Sequence, residues 1–501
     1  MTPKTWGALR LSGFAVLVAA AVAGAAQMPA RIPIGAVGAV GGPGSVGPPS
    51  IAPGSVVAAP VSETVLDCPG PETEGISGLE PVTGEAVTVF AATAPVAALT
   101  GVATVSGPGS LTAQSHPSGA ALATASTRGS VISGALSGSS TAAVTGLGGL
   151  AAGVAALQTG LRRDGDERGL QAVTCQTPRS DVWLLAGGGA ATRRERLVVS
   201  NSGANALSVD VQVLGASGPV PSISGSRVAV PPHGRVGVLI DALAPGEPSP
   251  AVHVTASGGL ITALLEDSWI DGATGRGRDN VGPADGPATE QTIPAAFLTG
   301  TGTLRIAVPG SDEAVVQARL IGTAGALALP SDGVVRIPGG TVRDIDLAAV
   351  PPGAYAVQVR SDRPVVASVL VQRSATPEGP SDLGWAAASP VIPELAGTPV
   401  PPGTTATLLV VGVGEVWSAT VYAVSATGEV TTLDATADAD TAWVSAVPAG
   451  AVSVWVRPTA GAVRAGLVAE ASDAGGPLVT VFGLEPITLS TSERPVREVR
   501  R

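Results

Sequence analysis

The chain has almost no lysine and little histidine. Lys4 is its only lysine, and its three histidines, His116, His233 and His253, are far apart. A single lysine at position 4 excludes Schiff-base chemistry and a phosphate-binding lysine in the body of the chain. We find no His-Glu-x-x-His, Gly-x-Ser-x-Gly or Ser-x-x-Lys motif. The sequence therefore predicts no catalytic residue, no metal site and no cofactor.

Charge and aromatic side chains are also scarce. Charged residues make up 13% of the chain, against about 25% in an average soluble protein, and aromatic residues make up 3%. The cores must therefore be built from the aliphatic residues that bring the hydrophobic content to 45%. The net charge of −11 is repelled by nucleic-acid phosphates and anionic lipid, so we expect no nucleic-acid partner.

The two cysteines are Cys68 and Cys175. In an exported protein an even, sparse number of cysteines favours a disulfide. Free thiols and a metal-binding pair remain the alternatives, although no histidine cluster completes a metal site.

The N-terminus has the features of an export signal. Lys4 and Arg10 precede an uncharged run from Leu11 to Ala26, and Ala23-Gly24-Ala25 fits a cleavage site. Residues 1–26 are therefore a cleaved signal peptide or an uncleaved signal anchor that attaches the protein to the membrane. Either way we expect the bulk of the chain to be extracytoplasmic, membrane-anchored or secreted. Residues 27–60 are predicted to be a Pro/Gly-rich linker and residues 487–501 a disordered tail.

The rest of the chain favours short β-strands. Glycine (67) and proline (43) are abundant, which suits turns better than long helices. Similar series of alternating strands begin at Leu197, Leu304 and Leu408, about 100 residues apart. The spacing predicts a mainly β fold with three immunoglobulin-like sandwiches in tandem behind an N-terminal membrane or signal helix.

These sandwiches are placed at 181–270, 303–373 and 405–472, with linkers at 271–302 and 374–404. One closed, pseudo-symmetric assembly of three sheets is the alternative. Residues 61–180 are predicted to form an irregular β domain closed by the disulfide.

The densest polar and aromatic cluster predicts the candidate ligand-binding residues, which are Glu266, Asp267, Trp269 and Asp271. A tryptophan face stacks on sugar rings, and Asp279 adds a further carboxylate for acid–base hydrolysis of a glycan. The plainer interpretation is a strand end followed by a solvated loop. Asp164 to Glu167 is weakly similar to a calcium loop but lacks the later ligands.

Five segments carry a resemblance to a known family: Cys68 to Pro71, Arg168 to Cys175, Trp183 with Gly187 to Gly189, Leu197 to Asn201, and Tyr355 to Ala367. Through them, and over about residues 61–470, the chain resembles an actinobacterial family of uncharacterised secreted or membrane-anchored proteins, a domain-of-unknown-function family. The resemblance implies export and anchoring, and it implies no activity and no catalytic residues.

The sequence is most typical of a non-catalytic envelope protein that presents β-sandwiches to a cell-wall polymer or an envelope protein. A carbohydrate-active hydrolase that uses the carboxylates near Trp269 is one alternative. An accessory subunit of an envelope-assembly complex is another.

Overall fold

The structure is a computed structural model that describes residues 57–71, 87–163, 165, 168–190, 193–329, 333–376 and 378–493. Most of these residues lie in strands, so the prediction of a mainly β protein is confirmed. The only helical segments among them are a 3-10 turn at Val96–Leu99 and an α-helical turn, α1, at Ile240–Leu243. No helix in this part of the chain is long and apolar enough to cross a membrane. The expected helix at 1–26 and most of the linker at 27–60 lie outside the described residues.

The described strands form four repeats, and two shorter strands flank them. Repeat 1 contains β2 (Glu63–Cys68), β3 (Val87–Thr93), β4 (Gly109–His116), β5 (Ala121–Ala125), β6 (Val131–Leu136), β7 (Thr141–Gly148), β8 (Val154–Arg162) and β9 (Gly169–Thr174). Repeat 2 contains β10 (Asp181–Leu185), β11 (Arg193–Asn201), β12 (Leu207–Gly215), β13 (Gly218–Val220), β14 (Val228–Val230), β15 (Gly234–Leu239), β16 (Ala251–Ser257), β17 (Thr262–Asp271) and β18 (Thr274–Val281).

Repeat 3 contains β19 (Ala288–Leu298), β20 (Gly302–Ala307), β21 (Ala314–Gly322), β22 (Gly325–Ala328), β23 (Val334–Ile337), β24 (Val342–Asp346), β25 (Gly353–Ser374) and β26 (Ser381–Ala387). Repeat 4 contains β27 (Ala396–Pro399), β28 (Thr405–Gly412), β29 (Trp417–Ser425), β30 (Val430–Ala437), β31 (Thr441–Ala446), β32 (Ala451–Ala460), β33 (Val463–Asp473) and β34 (Gly476–Gly483). The flanking strands are β1 (Val57–Pro60) and β35 (Ser490–Glu493).

All four repeats share one topology with eight strand positions. The first sheet has the order first-sixth-third-fourth, and the second sheet has the order fifth-second-seventh-eighth; for example, repeat 4 pairs β27-β32-β29-β30 and β31-β28-β33-β34. In repeats 2 and 3 the fourth position is split into two short strands, β13 with β14 and β22 with β23. In repeat 3 the sixth and seventh positions are one continuous strand, β25, which pairs in both sheets. A repeat is therefore an antiparallel two-sheet sandwich.

Alternating side chains explain why these strands pack in pairs of sheets. In β12, β21 and β29 buried residues alternate with exposed or half-buried ones, as a strand with one face on a core requires. In repeat 4 the inward residues Val421 and Val454 of one sheet meet Leu408 and Leu467 of the other. Aliphatic side chains fill the other sandwiches in the same way, as the low aromatic content required.

Several boundaries predicted from the sequence are wrong. The expected linkers at 271–302 and 374–404 contain strands β18, β19, β26 and β27, because the first and eighth strands of each repeat lie in these polar, Gly-rich segments. Residues 61–180 are a fourth sandwich of the same topology and not an irregular domain. The predicted disulfide between Cys68 and Cys175 is present and buried in the core of this repeat.

The four repeats close on themselves. The eighth strands, which we call the axial strands, are β9, β18, β26 and β34; they contact one another in cyclic order, and β34 contacts β9. Arginines also cross the seams between repeats: Arg305 binds the Ala186 carbonyl of repeat 2 at 2.9 Å, Arg319 binds Asp440 at 2.7 Å, and Arg168 binds Asp473 at 2.9 Å. The arrangement is therefore closed and pseudo-symmetric, with four repeats where the sequence suggested three sheets.

The two ends of the described chain meet in a clasp, the antiparallel pair β1–β35. Val57 lies opposite Glu493, and Pro60 lies opposite Ser490. Part of the predicted disordered tail at 487–501 is thus a strand, and Ile487 and Leu489 are buried with Val61 against repeats 1 and 4. The clasp joins the two repeats at which the closed arrangement begins and ends.

Candidate functional site

The predicted ligand-binding residues Glu266, Asp267, Trp269 and Asp271 all lie on β17, the seventh strand of repeat 2. Successive residues of a strand point to opposite faces, so this cluster divides into two sets. Glu266 and Asp267 are almost fully buried, Trp269 is half-buried, and the side chain of Asp271 is 59% exposed. The solvated loop that the sequence also allowed is therefore a buried strand over most of its length.

Glu266 faces away from the core of repeat 2 and binds Arg278 of β18 at 2.6 Å. Asp267 faces the core side, where it accepts hydrogen bonds from Arg193 Nε and from Trp385 Nε1, each at 2.7 Å. Buried carboxylates need such partners because an isolated charge is costly to desolvate. The two carboxyls therefore do not flank a common cleft, as a pair of glycoside-hydrolysing acids would.

Arg193 connects Asp267 to a second group of acids in repeat 2. Glu195 lies 4.0 Å from Arg193 and accepts the Gly188 N–H at 2.6 Å, and Asp241 on α1 interacts with it electrostatically. Burial, followed by repulsion from Asp267, raises the pKa of Glu195 to about 8. Burial also raises the pKa of Asp241. Burial therefore favours the protonated forms of both acids.

Trp269 and Asp271 lie where β17 approaches the surface. The Arg193 guanidinium lies 5.2 Å from the centre of the Trp269 ring, and Asp271 binds Arg276 at 3.0 Å. Trp269 also packs against the core of repeat 2. Of the four predicted residues, Asp271 is the one whose polar group faces solvent.

Asp279, the further carboxylate considered for hydrolysis, lies on the axial strand β18 and is fully buried. Its Oδ2 accepts the Trp385 N–H of β26 at 2.7 Å, and its Oδ1 is 3.1 Å from the Thr480 hydroxyl of β34. A second buried aspartate, Asp382 of β26, accepts N–H groups from all four axial strands. These acids hold strand edges together and have no access to a substrate.

The turns between the seventh and eighth strands form a surface that we call the hairpin face. Its described residues are 162, 163, 165, 168, 269–276, 373–376, 378–381 and 470–476. Arg168 of repeat 1 binds Asp473 of repeat 4, and Arg276 of repeat 2 donates to the Gly379 carbonyl of repeat 3 at 3.2 Å. Hairpins of all four repeats therefore meet on one surface with charges of both signs.

The hairpin face lies at the pole opposite the clasp. Axial strands begin at the hairpin turns and run away from them, and the segment after β34 carries the buried residues Ile487 and Leu489. Ile487 and Leu489 pack with Ala94 and Ala151. These alanines lie next to Val154, where β8 begins, and β8 ends at the hairpin face. The chain thus enters and leaves the four repeats at one pole and presents hairpins at the other.

A groove of about 470 Å³ between repeats 1 and 4 is lined by uncharged residues, among them Phe90, Val131, Pro401 and Pro402. None of the predicted carboxylates lines it. Among the described residues, no three His, Cys, Asp or Glu side chains gather in a metal-binding group. The weak calcium-loop similarity at 164–167 lies mostly outside the described residues.

Sequence reasoning missed the arginines and the second aspartate that organise this region. Arg278 and Asp382 are buried, the Arg193 side chain is 9% exposed, and each lies in a segment that reads as a polar loop. A usable signal was the near balance of opposite charges in Arg276-Gly277-Arg278-Asp279 beside Glu266-Asp267. Balanced charge over two short segments is typical of internal ion pairing.

The solved structures that match this chain include two of low similarity. A chain described as "Biofilm associated protein - BSP domain" is 10% identical with a TM-score of 0.14, and the match covers 85% of this chain and 96% of that one. A "tetra-tandem repeat in extending region of large adhesion protein" is 13% identical with a TM-score of 0.09, and the match covers 77% and 93% of the two chains. Neither TM-score indicates a common fold.

No curated protein matches the chain. A family model described as "Family of unknown function (DUF5719)" matches residues 137–448, from the end of β6 in repeat 1 to the turn after β31 in repeat 4. The expectation of an uncharacterised domain family is therefore confirmed, and the chain belongs to the DUF5719 family.

Proposed function

We propose that this protein is a non-catalytic, extracytoplasmic envelope protein of an actinobacterium that binds a cell-wall polymer or an envelope protein through its hairpin face. The observation that carries the proposal is that the chain ends and the hairpins lie at opposite poles of the fold. Both described chain ends lie in the clasp, and hairpins of all four repeats meet at the opposite pole. A tether attached before β1 would leave that face free to meet a partner.

The buried disulfide and the N-terminal address support export. Cys68 and Cys175 are both enclosed in the core of repeat 1, and disulfides persist in oxidising compartments. The basic residues and apolar run within residues 1–26 fit a signal peptide or a signal anchor. We propose membrane attachment through that segment, or secretion if it is cleaved.

We further propose that the four repeats are immunoglobulin-like sandwiches. Each pairs two antiparallel sheets over one aliphatic core, which is the architecture of that class. Such modules suit a binding role because a rigid sandwich positions the turns at its ends. The separation of Glu266 and Asp267 onto opposite faces argues against glycan hydrolysis by this pair.

Co-sedimentation of the purified full chain with isolated cell wall tests this function. We expect saturable binding that a soluble wall polysaccharide competes away. The double variant Arg163→Ala/Asp271→Ala removes exposed charges from the hairpin face and should weaken binding at least several-fold.

The matched control is Glu313→Ala/Arg336→Ala, which removes an exposed ion pair from repeat 3 outside the hairpin face. Equal loss of binding in both variants would contradict a role for the hairpin face. Absence of wall binding, followed by crosslinking of the full chain to a membrane protein, would make the partner a protein of an envelope-assembly complex. Wall hydrolysis by the full chain that Glu266→Gln abolishes would overturn the non-catalytic assignment.

A further inference from the structure

The axial strands bring four strand edges together at the centre of the molecule. Each axial strand pairs with the seventh strand of its own repeat on one side, so its other edge has unpaired main-chain groups. Buried N–H groups require acceptors. Here side chains are the acceptors, and the carboxyls of Asp382 and Asp279 accept most of these N–H groups.

Asp382 receives four main-chain N–H groups, one from each axial strand. Leu170 of β9 and Val479 of β34 donate to Oδ2 at 3.0 and 2.9 Å. Arg278 of β18 and Leu383 of β26 donate to Oδ1 at 3.3 and 3.0 Å. With two N–H donors on each oxygen, the geometry favours the ionised form of this carboxyl.

The carboxyl of Asp382 fits only because its neighbour across the axis is a glycine. Gly277 has φ of +116°, and a Cβ at that position would lie 2.6 Å from Asp382 Oδ1. The site is therefore shaped around the aspartate.

Asp279 has fewer donors. It accepts the Trp385 N–H and one hydroxyl hydrogen bond from Thr480, whose own oxygen accepts the Ala172 N–H at 3.1 Å, and the Asn280 N–H of its own strand also lowers its pKa. An oxygen of Asp279 can therefore carry a proton while both hydrogen bonds are kept. Asp279 also connects all four repeats, since Ala172 lies on β9 and Thr480 on β34.

The groups that face this pair are mainly neutral. They are the main-chain N–H groups of residues 170 and 172 on β9, 278 on β18, 383 and 385 on β26, and 479 on β34, with the Thr480 hydroxyl. Two arginines lie on or next to these elements: the Arg278 guanidinium binds Glu266, and Arg168, just before β9, binds Asp473. Two negative charges at this place would repel each other with little compensation.

We propose that Asp382 is the ionised member and Asp279 the protonated member of a carboxyl pair that locks the four repeats around the axis, and that loss of the Asp279 proton loosens this lock. The N–H donors hold the charge on Asp382, and the proton on Asp279 prevents the repulsion that a second charge would create. The pair is thus a proton-dependent device for holding the four repeats together.

The direction of the pH dependence follows from burial. Burial raises the pKa of Asp382 to about 7 against the opposing effect of its N–H donors, and it raises the pKa of Asp279 well above the ordinary value. Repulsion from Asp382 raises the pKa of Asp279 further. A group whose pKa is raised by folding stabilises the folded state at low pH, and this contribution is lost as pH rises through the folded-state pKa. The lock therefore loosens in alkali.

Hydrogen exchange of the axial strands in the full chain tests the proposal, at pH 8 to 10, above the pKa of Asp382, and corrected for the intrinsic exchange rate. In the wild type we expect protection of β9, β18, β26 and β34 to fall together at alkaline pH, by up to tenfold per pH unit for release of one proton. Asp279→Asn imitates the protonated acid and should keep protection nearly constant with pH. Asp382→Asn places an amide NH₂ against main-chain N–H donors and should lower protection at every pH.

Glu429→Gln, at an exposed carboxyl of repeat 4 outside the axial strands and the hairpin face, is the control and should follow the wild type. An Asp279→Asn variant that shows the wild-type alkaline loss, or wild-type protection that does not depend on pH, would overturn the proposal. If Asp279→Asn fails to fold, the infrared band of protonated carboxyls in the wild type decides. The proposal requires part of that band to persist at neutral pH and to disappear over the pH range in which the axial strands lose protection.

Discussion

Repeats 2 and 4 share one topology but fill equivalent positions with opposite chemistry. In repeat 2, Leu265 of β17 is followed by Glu266 and Asp267; in repeat 4, Leu467 of β33 is followed by Val468 and Ala469. All four following residues are nearly inaccessible to solvent. The same strand geometry therefore accepts carboxylates or aliphatic side chains, provided that arginines on neighbouring strands accompany the carboxylates.

This comparison shows why a dense charged cluster is a poor marker of a ligand site in this fold. Arg193 and Arg278 reach Asp267 and Glu266 from the second and eighth strands of the same repeat. Repeat 4 needs no such partners because its segment is apolar. Repeat 2 thus fills with internal ion pairs the buried positions that repeat 4 fills with aliphatic side chains.

The largest expected effect comes from removing an arginine inside repeat 2. Arg193→Met leaves Asp267 buried with one neutral donor, Trp385, and should lower the free energy of unfolding by about 3–5 kcal/mol. Urea denaturation of the full chain, followed by circular dichroism, measures the loss. A loss below about 1 kcal/mol would mean that water solvates Asp267, and the contrast with repeat 4 would then disappear.

Replacing a core leucine should lower the stability of the protein by the same amount in repeat 2 and in repeat 4. Leu265 and Leu467 occupy equivalent positions, and each is fully buried. Replacing either by alanine leaves a cavity and should lower the free energy of unfolding by about 3 kcal/mol. Urea denaturation of the two variants side by side tests this equality. A difference well above 1 kcal/mol would show that the charged segment of repeat 2 changes how its core relaxes.

The pH dependence should be another difference between these two regions. Burial raises the pKa of Glu195 in repeat 2 to about 8, so its stabilising contribution is complete below pH 4.5 and is lost as pH rises through 8. Glu195→Gln should therefore reduce the loss of stability between pH 5 and pH 8, measured by urea denaturation at a series of pH values. The control Glu429→Gln, at an exposed glutamate of repeat 4, should leave the pH profile as it is in the wild type.

Much of the fold could be predicted from alternation, and the rest required tertiary information. The strands around Val209 to Val213, Val315 to Leu320 and Ala419 to Val424 alternate clearly because one face of each lies on a core. The axial strands β18 and β26 have the sequences TGRGRDNV and SDLGWAA, which resemble loops. Their burial comes from the meeting of four repeats at the axis, and no local pattern encodes that.

The same limit applies to the candidate site. The sequence placed Glu266, Asp267, Trp269 and Asp271 together, and they do share one strand. Period-2 geometry sends adjacent residues to opposite faces, so closeness in sequence did not mean a common site. Repeat 1 was missed as a repeat because its short strands, such as ALATA in β5, contain few large β-branched residues.

The smallest expected effect is at an exposed ion pair. Removing it tests whether the loss of stability expected for Arg193→Met in repeat 2 comes from burial of the charges or from charge pairing alone. Arg336 and Glu313 of repeat 3 are 2.8 Å apart, as close as the buried pairs, but their side chains are 71% and 51% exposed. Water solvates either partner when the other is removed, so Arg336→Met should change the free energy of unfolding by less than about 1 kcal/mol. Measurement beside Arg193→Met, at low salt and again at high salt, compares the two directly, because screening weakens exposed pairs much more than buried ones. If Arg336→Met lowers the free energy of unfolding as much as Arg193→Met does, charge pairing itself stabilises these sandwiches. The difference between the charged repeat 2 and the apolar repeat 4 would then not depend on burial.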